Sequence, residues 1–439
     1  MSRKVFISFL GYNNYSQCHY TCDTYKSGTV RFIQDATLEY LTSLSEWTDT
    51  DVAYILLTEG AEKANWKDNG HRDRNTNEII QCEGLQSRLQ KMNTRFFVDT
   101  ICNLPDGNNE AEIWTIFERV YEKLQDGDEL YFDLTHGFRY LPMLVMVLIN
   151  YSKFLKNTTV KSITYGNFES RNKSTNEAPI INMMPLSSLQ DWTYAAGQFL
   201  DNGDVHGLAT LCNNEIRPIL KSSNGSDEGA SALREFVKHL NSVIEERQSC
   251  RGMSIIRSEN LSKLKKTTDR LDKTFITPLN PLFEKIKLSL ADFDEKENIL
   301  NGLAAATWCF QNNMIQQAAT ILQEFVITFF CKRHGFQIDD EENRNLISSA
   351  FTIKQKNIPM EHWSIKETDF EHMEGILKDE LLNVKDVLNL YENLSTVRND
   401  INHSGMRSKR PPMKSKSIKD NIWKCINGFK SILIEKGNE

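Results

Sequence analysis

Arg398 and His403 enclose four residues in the string RNDINHSG at 398–405. An imidazole titrates near neutrality and can take or give a proton in a transition state. A guanidinium keeps its charge at any working pH and suits negative charge that builds on phosphorus. RNA brings its own nucleophile, the 2′-hydroxyl. Its cleavage therefore asks for proton transfer and charge stabilisation, with neither a metal nor a covalent enzyme residue. Products of such a reaction end in a 2′,3′-cyclic phosphate, and DNA is spared for lack of the hydroxyl. Asn399, directly after the arginine, is the third candidate. At about 100° per residue, positions five apart on a helix lie roughly 140° apart, whereas positions four apart share a face. Asn399 and His403 can therefore face one way, and Arg398 cannot join them. Either the helix breaks near Arg398 or the site draws on two protomers. The spacing is common by chance, and a surface arginine beside a surface histidine is the alternative.

Downstream, Arg407, Lys409 and Arg410 open a basic run that continues through Lys414, Lys416, Lys419 and Lys424, with Asp420 as the one acid among them. Such a run can feed an RNA backbone to the site, or it can be an ordinary solvated surface. Two other segments have the chemistry of a ligand seat. LGYNNY (10–15) offers Gly11 for a tight turn, Asn13 and Asn14 for base edges or phosphates, and Tyr12 and Tyr15 for stacking. DLTHGFRYLP (133–142) offers Thr135, His136 and Gly137 as backbone donors at a helix start, with Arg139 for a phosphate. Neither is GxGxxG or a P-loop, so a dinucleotide or ATP is not indicated, and no organic cofactor is expected.

The elements that must hold these residues divide the 439-residue chain in two. Short apolar runs at Val5–Leu10, Val52–Thr58, Arg95–Ile101, 129–135 and Val160–Tyr165 alternate with helical patterns at Val30–Leu44, Glu78–Met92, Ala111–Leu124 and Pro142–Leu155. That alternation predicts a mainly parallel sheet with helices on both faces. Both candidate loops then follow strands at the carboxyl edge, where open sheets bind ligands. Beyond about 180 the pattern is helical alone: Leu189–Leu200, Ala232–Glu246, Asn298–Phe310, Ile315–Cys331, Phe370–Leu394 and Asp420–Ile434. The boundary is expected near 180–190, giving domains of 1–185 and 186–439. Residues 256–273, rich in charge, read as a solvated helix. Trp114 and Trp308 lie on apolar stripes and are expected in the core.

A formal net charge of −7 argues against coating nucleic acid by bulk attraction, so any RNA contact must be local. Nine scattered cysteines with no CxxC indicate neither a disulfide framework nor a zinc site, which fits a reducing cytoplasm. The opening MSRKVFISFLGYNNY has an apolar run too short for a signal peptide. The longest apolar stretch, Tyr140–Ile149, is too short to span a bilayer and reads as a buried helix.

FLGYNNY, Asn65–Trp66, DGNNEAEIWTIFERV (106–120), FDLTHGFRYLP and ITYGNFE (163–169) occur in that order. The series resembles the sensor domain of the CARF ribonucleases of type III CRISPR systems. RNDINHSG resembles the RxxxxH motif of the HEPN ribonuclease domain, and NMIQQAATILQEFVITFF (313–330) is similar to an earlier helix of that domain. The resemblance implies a Rossmann-like CARF sensor followed by an all-α HEPN domain. It also implies that a cyclic oligoadenylate, of four adenosines or of six, binds across a homodimer and activates cleavage of single-stranded RNA at a composite site. Ligand contact transfers to Gly11, Asn13, Asn14, Thr135, His136, Gly137 and Arg139. Two rival readings are a sensor on an inactive helical domain and a CARF domain that itself degrades the messenger. Assembly beyond the dimer stays open.

Overall fold

The computed structural model describes residues 2–92, 94–268, 270–271, 279–406 and 411–435. The chain divides into two compact units, Met1–Ser188 and Leu189–Glu439.

The first unit is built on an eight-stranded sheet. Its strands are β1 (Lys4–Phe9), β2 (His19–Cys22), β3 (Tyr25–Lys26), β4 (Val52–Thr58), β5 (Phe97–Leu104), β6 (Glu129–Asp133), β7 (Thr159–Gly166) and β8 (Glu177–Asn182). They lie in the order β3-β2-β8-β7-β6-β1-β4-β5. From β7 through β5 the pairing is parallel, with β1 between β6 and β4 in the registers Lys4↔Glu129 and Val5↔Val52. β8 pairs antiparallel with β7 and carries β2 and β3 as an outer extension. These three strands are absent from the sequence pattern. β2 and β3 are short and half-exposed, and β8 holds a proline and two exposed residues, so none has the apolar run of a buried strand.

Alternation along β1 shows why the sheet is covered on both faces. Val5, Ile7 and Phe9 pack with the helices Glu110–Lys123 and Leu141–Lys156. Phe6 points the other way and packs with the helices Ile33–Leu44 and Leu85–Lys91. Both sets are buried, as period-two side chains in a doubly covered sheet must be.

Three expectations need correction. The helix expected from Glu78 begins only at Leu85, because Arg72 and Ile79 form a β-bridge that holds the preceding segment extended. Leu141–Lys156 is amphipathic rather than wholly buried: Met143, Val147, Tyr151 and Phe154 are exposed along one stripe. Trp114 is 51% exposed on the neighbouring helix and not in the core.

In the second unit, described as helices, Leu300–Gln311 and Ile315–Arg333 form a hairpin, and Ile315–Arg333 packs on Lys385–Asn402. Ser415–Phe429 completes this group against Lys385–Asn402, burying Ile422, Cys425, Ile426 and Phe429. Trp308 lies in this core. The expected helix at Phe370–Leu394 is two, Phe370–Leu377 and Lys385–Asn402, interrupted where Asp379 accepts the Leu381 amide and an Arg333 guanidinium. The charged stretch near 260 is also two helices, Gly252–Arg257 and Glu259–Thr268. Their apolar residues Ile255, Ile256, Leu261 and Leu264 are buried, so only the outer face is solvated. Among the described residues no helix is long and apolar enough to cross a membrane.

Candidate functional site

β4 and β5 lie on one side of β1, and β6 and β7 lie on the other, so the chain changes direction between β1 and β6. The carboxyl ends of those two strands carry the two candidate loops. A cavity of about 500 Å³ opens there, and its lining includes Gly11, Asn13, Asn14, Thr135, His136, Gly137 and Arg139. Tyr12, Tyr165 and Phe168 add aromatic surface to the same cavity.

A buried hydrogen-bond chain sets the floor. Gln34 Nε2 donates to Ser8 Oγ (3.0 Å) and to the Phe9 carbonyl (2.9 Å), and Ser8 Oγ donates to Asp133 Oδ2 (2.7 Å). Asp133 Oδ1 accepts from both the amide and the hydroxyl of Thr135, while Thr135 Oγ1 accepts from the Gly166 amide at 2.7 Å. Burial pushes the Asp133 carboxyl above the usual carboxylate range, against the pull of the Thr135 and Ser8 donors. The Thr135 hydroxyl is therefore committed to joining β6 to β7, and its proton is not offered to a ligand.

The donors that are offered come next in the chain. Among the described residues, the backbone N–H groups of His136, Gly137, Phe138 and Arg139 have no acceptor in the protein. They do not sit at the helix start, as the sequence suggests, since the helix begins at Leu141 with Pro142 in its first turn. They form a separate turn ahead of it, which adds four unpartnered amides to those of the helix start. Gly137 makes this turn with φ +123°, a region closed to other residues, and a Cβ there would overlap Leu141 Cδ1. The Arg139 side chain is exposed beside them.

Tyr15 does not present a free face to a base. Its ring stacks on His136 at 4.0 Å between centroids, with an 18° interplanar angle. A Cβ at Gly11 would overlap the Tyr15 hydroxyl, so the glycine is what lets this ring lie down. Burial lowers the His136 pKa to about 4, and its Nε2 is buried with no partner. His136 is thus neutral at physiological pH. Since its ordinary value near 6.5 applies in the unfolded chain, protonation favours unfolding. Stability from this residue is complete above pH 6.5 and falls as pH drops from 6.5 through about 4. His136→Phe keeps the stack and removes the titration. Urea unfolding at a series of pH values should show wild type losing about 1.4 kcal/mol per pH unit relative to the variant inside that window. Parallel curves would place His136 in water.

The catalytic candidates sit in the second unit. Lys385–Asn402 is helical through Arg398 and Asn399, and His403 is its cap residue, donating its amide to the Asn399 carbonyl at 3.1 Å. The helix does not break near Arg398. Arg398 is half-buried with an unpartnered Nε, and its charge is felt by the Cys250 thiol, whose pKa is raised mainly by burial. His403 is exposed, and the Gly405 amide returns to the Asp400 carbonyl to close the turn. Buried Asp400 accepts the Met413 amide and so ties the following segment to the helix end. Arg407, Lys409 and Arg410 lie outside the described residues. Among the described residues no cluster of His, Cys, Asp or Glu stands ready for a metal ion.

One residue with a clear part in the ligand loops was passed over as a site in the sequence. Asn65, fully buried after β4, holds the Gly11 and Asn13 carbonyls. Its position at the carboxyl end of a strand adjoining β1 was the available signal.

The parallel sheet and the direction change define the first unit as a doubly wound α/β domain, with a cavity where open sheets bind ligands. The family described as "CRISPR system endoribonuclease Csx1, CARF domain" matches residues 5–169. CRISPR-associated protein MJ1674 of Methanocaldococcus jannaschii is 24% identical over 260 residues. That alignment takes in 57% of this chain and 37% of the relative, so the chain spans little more than a third of that relative's length. Enterococcus italicus Csm6 bound to cyclic hexa-2′-fluoro-hexa-dAMP is similar in structure at a TM-score of 0.43 and 11% identity, over 99% of this chain and 94% of that one. Over residues 5–169 the first unit is thus similar to the CARF domain of that CRISPR-associated family.

Proposed function

We propose that the protein is a cyclic-oligoadenylate-activated endoribonuclease, in which the CARF domain binds the messenger and the helical unit, of HEPN type, cleaves single-stranded RNA. The observation that carries the sensor half is the convergence of seven candidate residues on one cavity, whose lining includes four successive residues with unpaired amides. A ring of adenosine monophosphates needs donors for its phosphates and flat surface for its bases, and the cavity supplies both. Four adenosines is the ring size we favour over six.

The effector half rests on Arg398, Asn399 and His403. With the helix continuous to Asn402, the roughly 140° between Arg398 and His403 stands, and one protomer does not turn both toward one phosphate. A homodimer resolves this by combining the two ends of the motif from two copies. The exposed stripe of Met143, Val147, Tyr151 and Phe154 on Leu141–Lys156 supports self-association. The match of residues 5–169 to a domain of a family described as an endoribonuclease supports the ribonuclease reading. Arg407, Lys409 and Arg410 would guide the RNA backbone.

His403 moves protons between the 2′-hydroxyl, phosphate oxygens and leaving 5′-oxygen, and Arg398 balances the charge on the phosphorane. Cleavage of a fluorogenic RNA should therefore proceed undiminished in excess EDTA and leave 2′,3′-cyclic phosphate ends. A substrate with 2′-deoxyribose at the scissile position should survive intact. Activity lost on chelation and restored by Mg²⁺ or Mn²⁺ would overturn the metal-free mechanism.

A further inference from the structure

Three acceptors of the Gly11–Asn14 loop are held by Asn65 and Arg31, neither of which lines the cavity. Asn65 Nδ2 donates to the Gly11 carbonyl and to the Asn13 carbonyl, each at 2.8 Å. This fixes the amide's orientation, because two carbonyl oxygens can only accept. Asn65 Oδ1 must then be the acceptor for Arg31 Nη2 (3.2 Å) and for His71 Nε2 (3.0 Å), which carries its proton. Both donor and acceptor capacities of this buried amide are filled. Arg31 Nη2 also donates to Asn14 Oδ1 at 3.0 Å. The Arg31 bonds go to amide oxygens, and its buried Nε has no partner.

A loop of this length would ordinarily turn some carbonyls toward its ligand. Here the Gly11 and Asn13 carbonyls and the Asn14 side-chain oxygen are occupied. The Asn14 oxygen is spent on Arg31, so Asn14 meets a ligand through its Nδ2 donor. We propose that Asn65 and Arg31 are positioning residues that sort the loop by polarity: they capture the Gly11 and Asn13 carbonyls and the Asn14 side-chain oxygen, so that the loop meets the phosphates of the cyclic oligoadenylate through its donors. This rests on the messenger reading given above and assigns to two residues outside the cavity lining the selection of an anion.

Direct binding of cyclic tetraadenylate and cyclic hexaadenylate to the full chain tests it, by calorimetry with stoichiometry and Kd read separately. Asn65→Asp keeps the shape, removes both donors and sets a carboxylate against two carbonyls. Arg31→Met keeps much of the side chain's length and removes the one nitrogen, Nη2, that donates to both oxygens. Each is expected to weaken the ring that wild type binds by roughly tenfold or more, the scale of one or two lost hydrogen bonds to or near charge, at unchanged stoichiometry. A merely structural defect would lower the stoichiometry and the thermal midpoint and leave the Kd of the folded fraction alone. Unchanged Kd in Asn65→Asp or in Arg31→Met overturns the proposal. Wild-type protein that binds neither ring overturns the messenger reading, and the positioning role falls with it.

Discussion

His403→Ala and Arg398→Ala are each expected to lower RNA cleavage by about 10²- to 10⁴-fold, the usual yield of a positioned proton donor or acceptor. The two losses should not add, since removing either end of a shared site disables the same step. The Arg398 site is partly desolvated, as its buried Nε shows, so Arg398→Lys should recover little of the loss. Asn399→Ala is expected to fall short of both. All these variants should bind messenger with wild-type affinity, because the messenger cavity is lined wholly by residues of the first unit. Mixing His403→Ala with Arg398→Ala chains adds a test of the composite site. Heterodimers would hold one intact Arg–His pair, so activity should return to a fraction of wild type. Near-wild-type turnover in His403→Ala alone would move the active site elsewhere.

Gly137→Ala is expected to raise the messenger concentration for half-maximal cleavage by about 10- to 100-fold. The turn at φ +123° is open only to glycine, and forcing another residue into such a region costs of order 1–3 kcal/mol. The added methyl also overlaps the Leu141 Cδ1 methyl, which must swing aside. Relief of the backbone strain moves the amides of 136–139 away from the place where they meet a phosphate. Cleavage at saturating messenger should be unchanged, because the catalytic helix is not touched. Arg139→Ala should produce the milder form of the same effect, about tenfold, consistent with one charge-assisted contact. Titration of messenger against a fluorogenic RNA separates this class from the His403 class. An unaltered half-maximal concentration in Gly137→Ala would show that the turn does not hold the messenger.

Much of this was legible in the sequence because local patterns and global fold agree. The buried strands β1, β4 and β6 are continuous apolar runs, and the loops after β1 and β6 announce themselves by amides, glycines and aromatic rings. What escaped depends on pairings remote in sequence. Thr135 reads as a ligand donor until its amide and hydroxyl are found on Asp133, with its oxygen taking the Gly166 amide, and Tyr15 reads as a stacking platform until it is found on His136. Asn65 is an ordinary asparagine until Gly11, Asn13, Arg31 and His71 surround it. Leu141–Lys156 has the composition of a core helix, and only its packing on one side shows that Met143 and Phe154 face outward. The RxxxxH spacing carries a helical angle but cannot tell whether the helix persists. The structure shows that it runs to Asn402.

The central claim is that messenger bound in the first unit switches on cleavage by the helical unit. Its most direct measurement is the cleavage rate of a fluorogenic single-stranded RNA by the full chain, alone and with cyclic triadenylate, tetraadenylate and hexaadenylate in turn. The account expects a low rate without messenger and a large, saturable increase with one ring, the tetraadenylate first. An RNA cleavage rate that stays the same with every ring, whether high or absent, would contradict it.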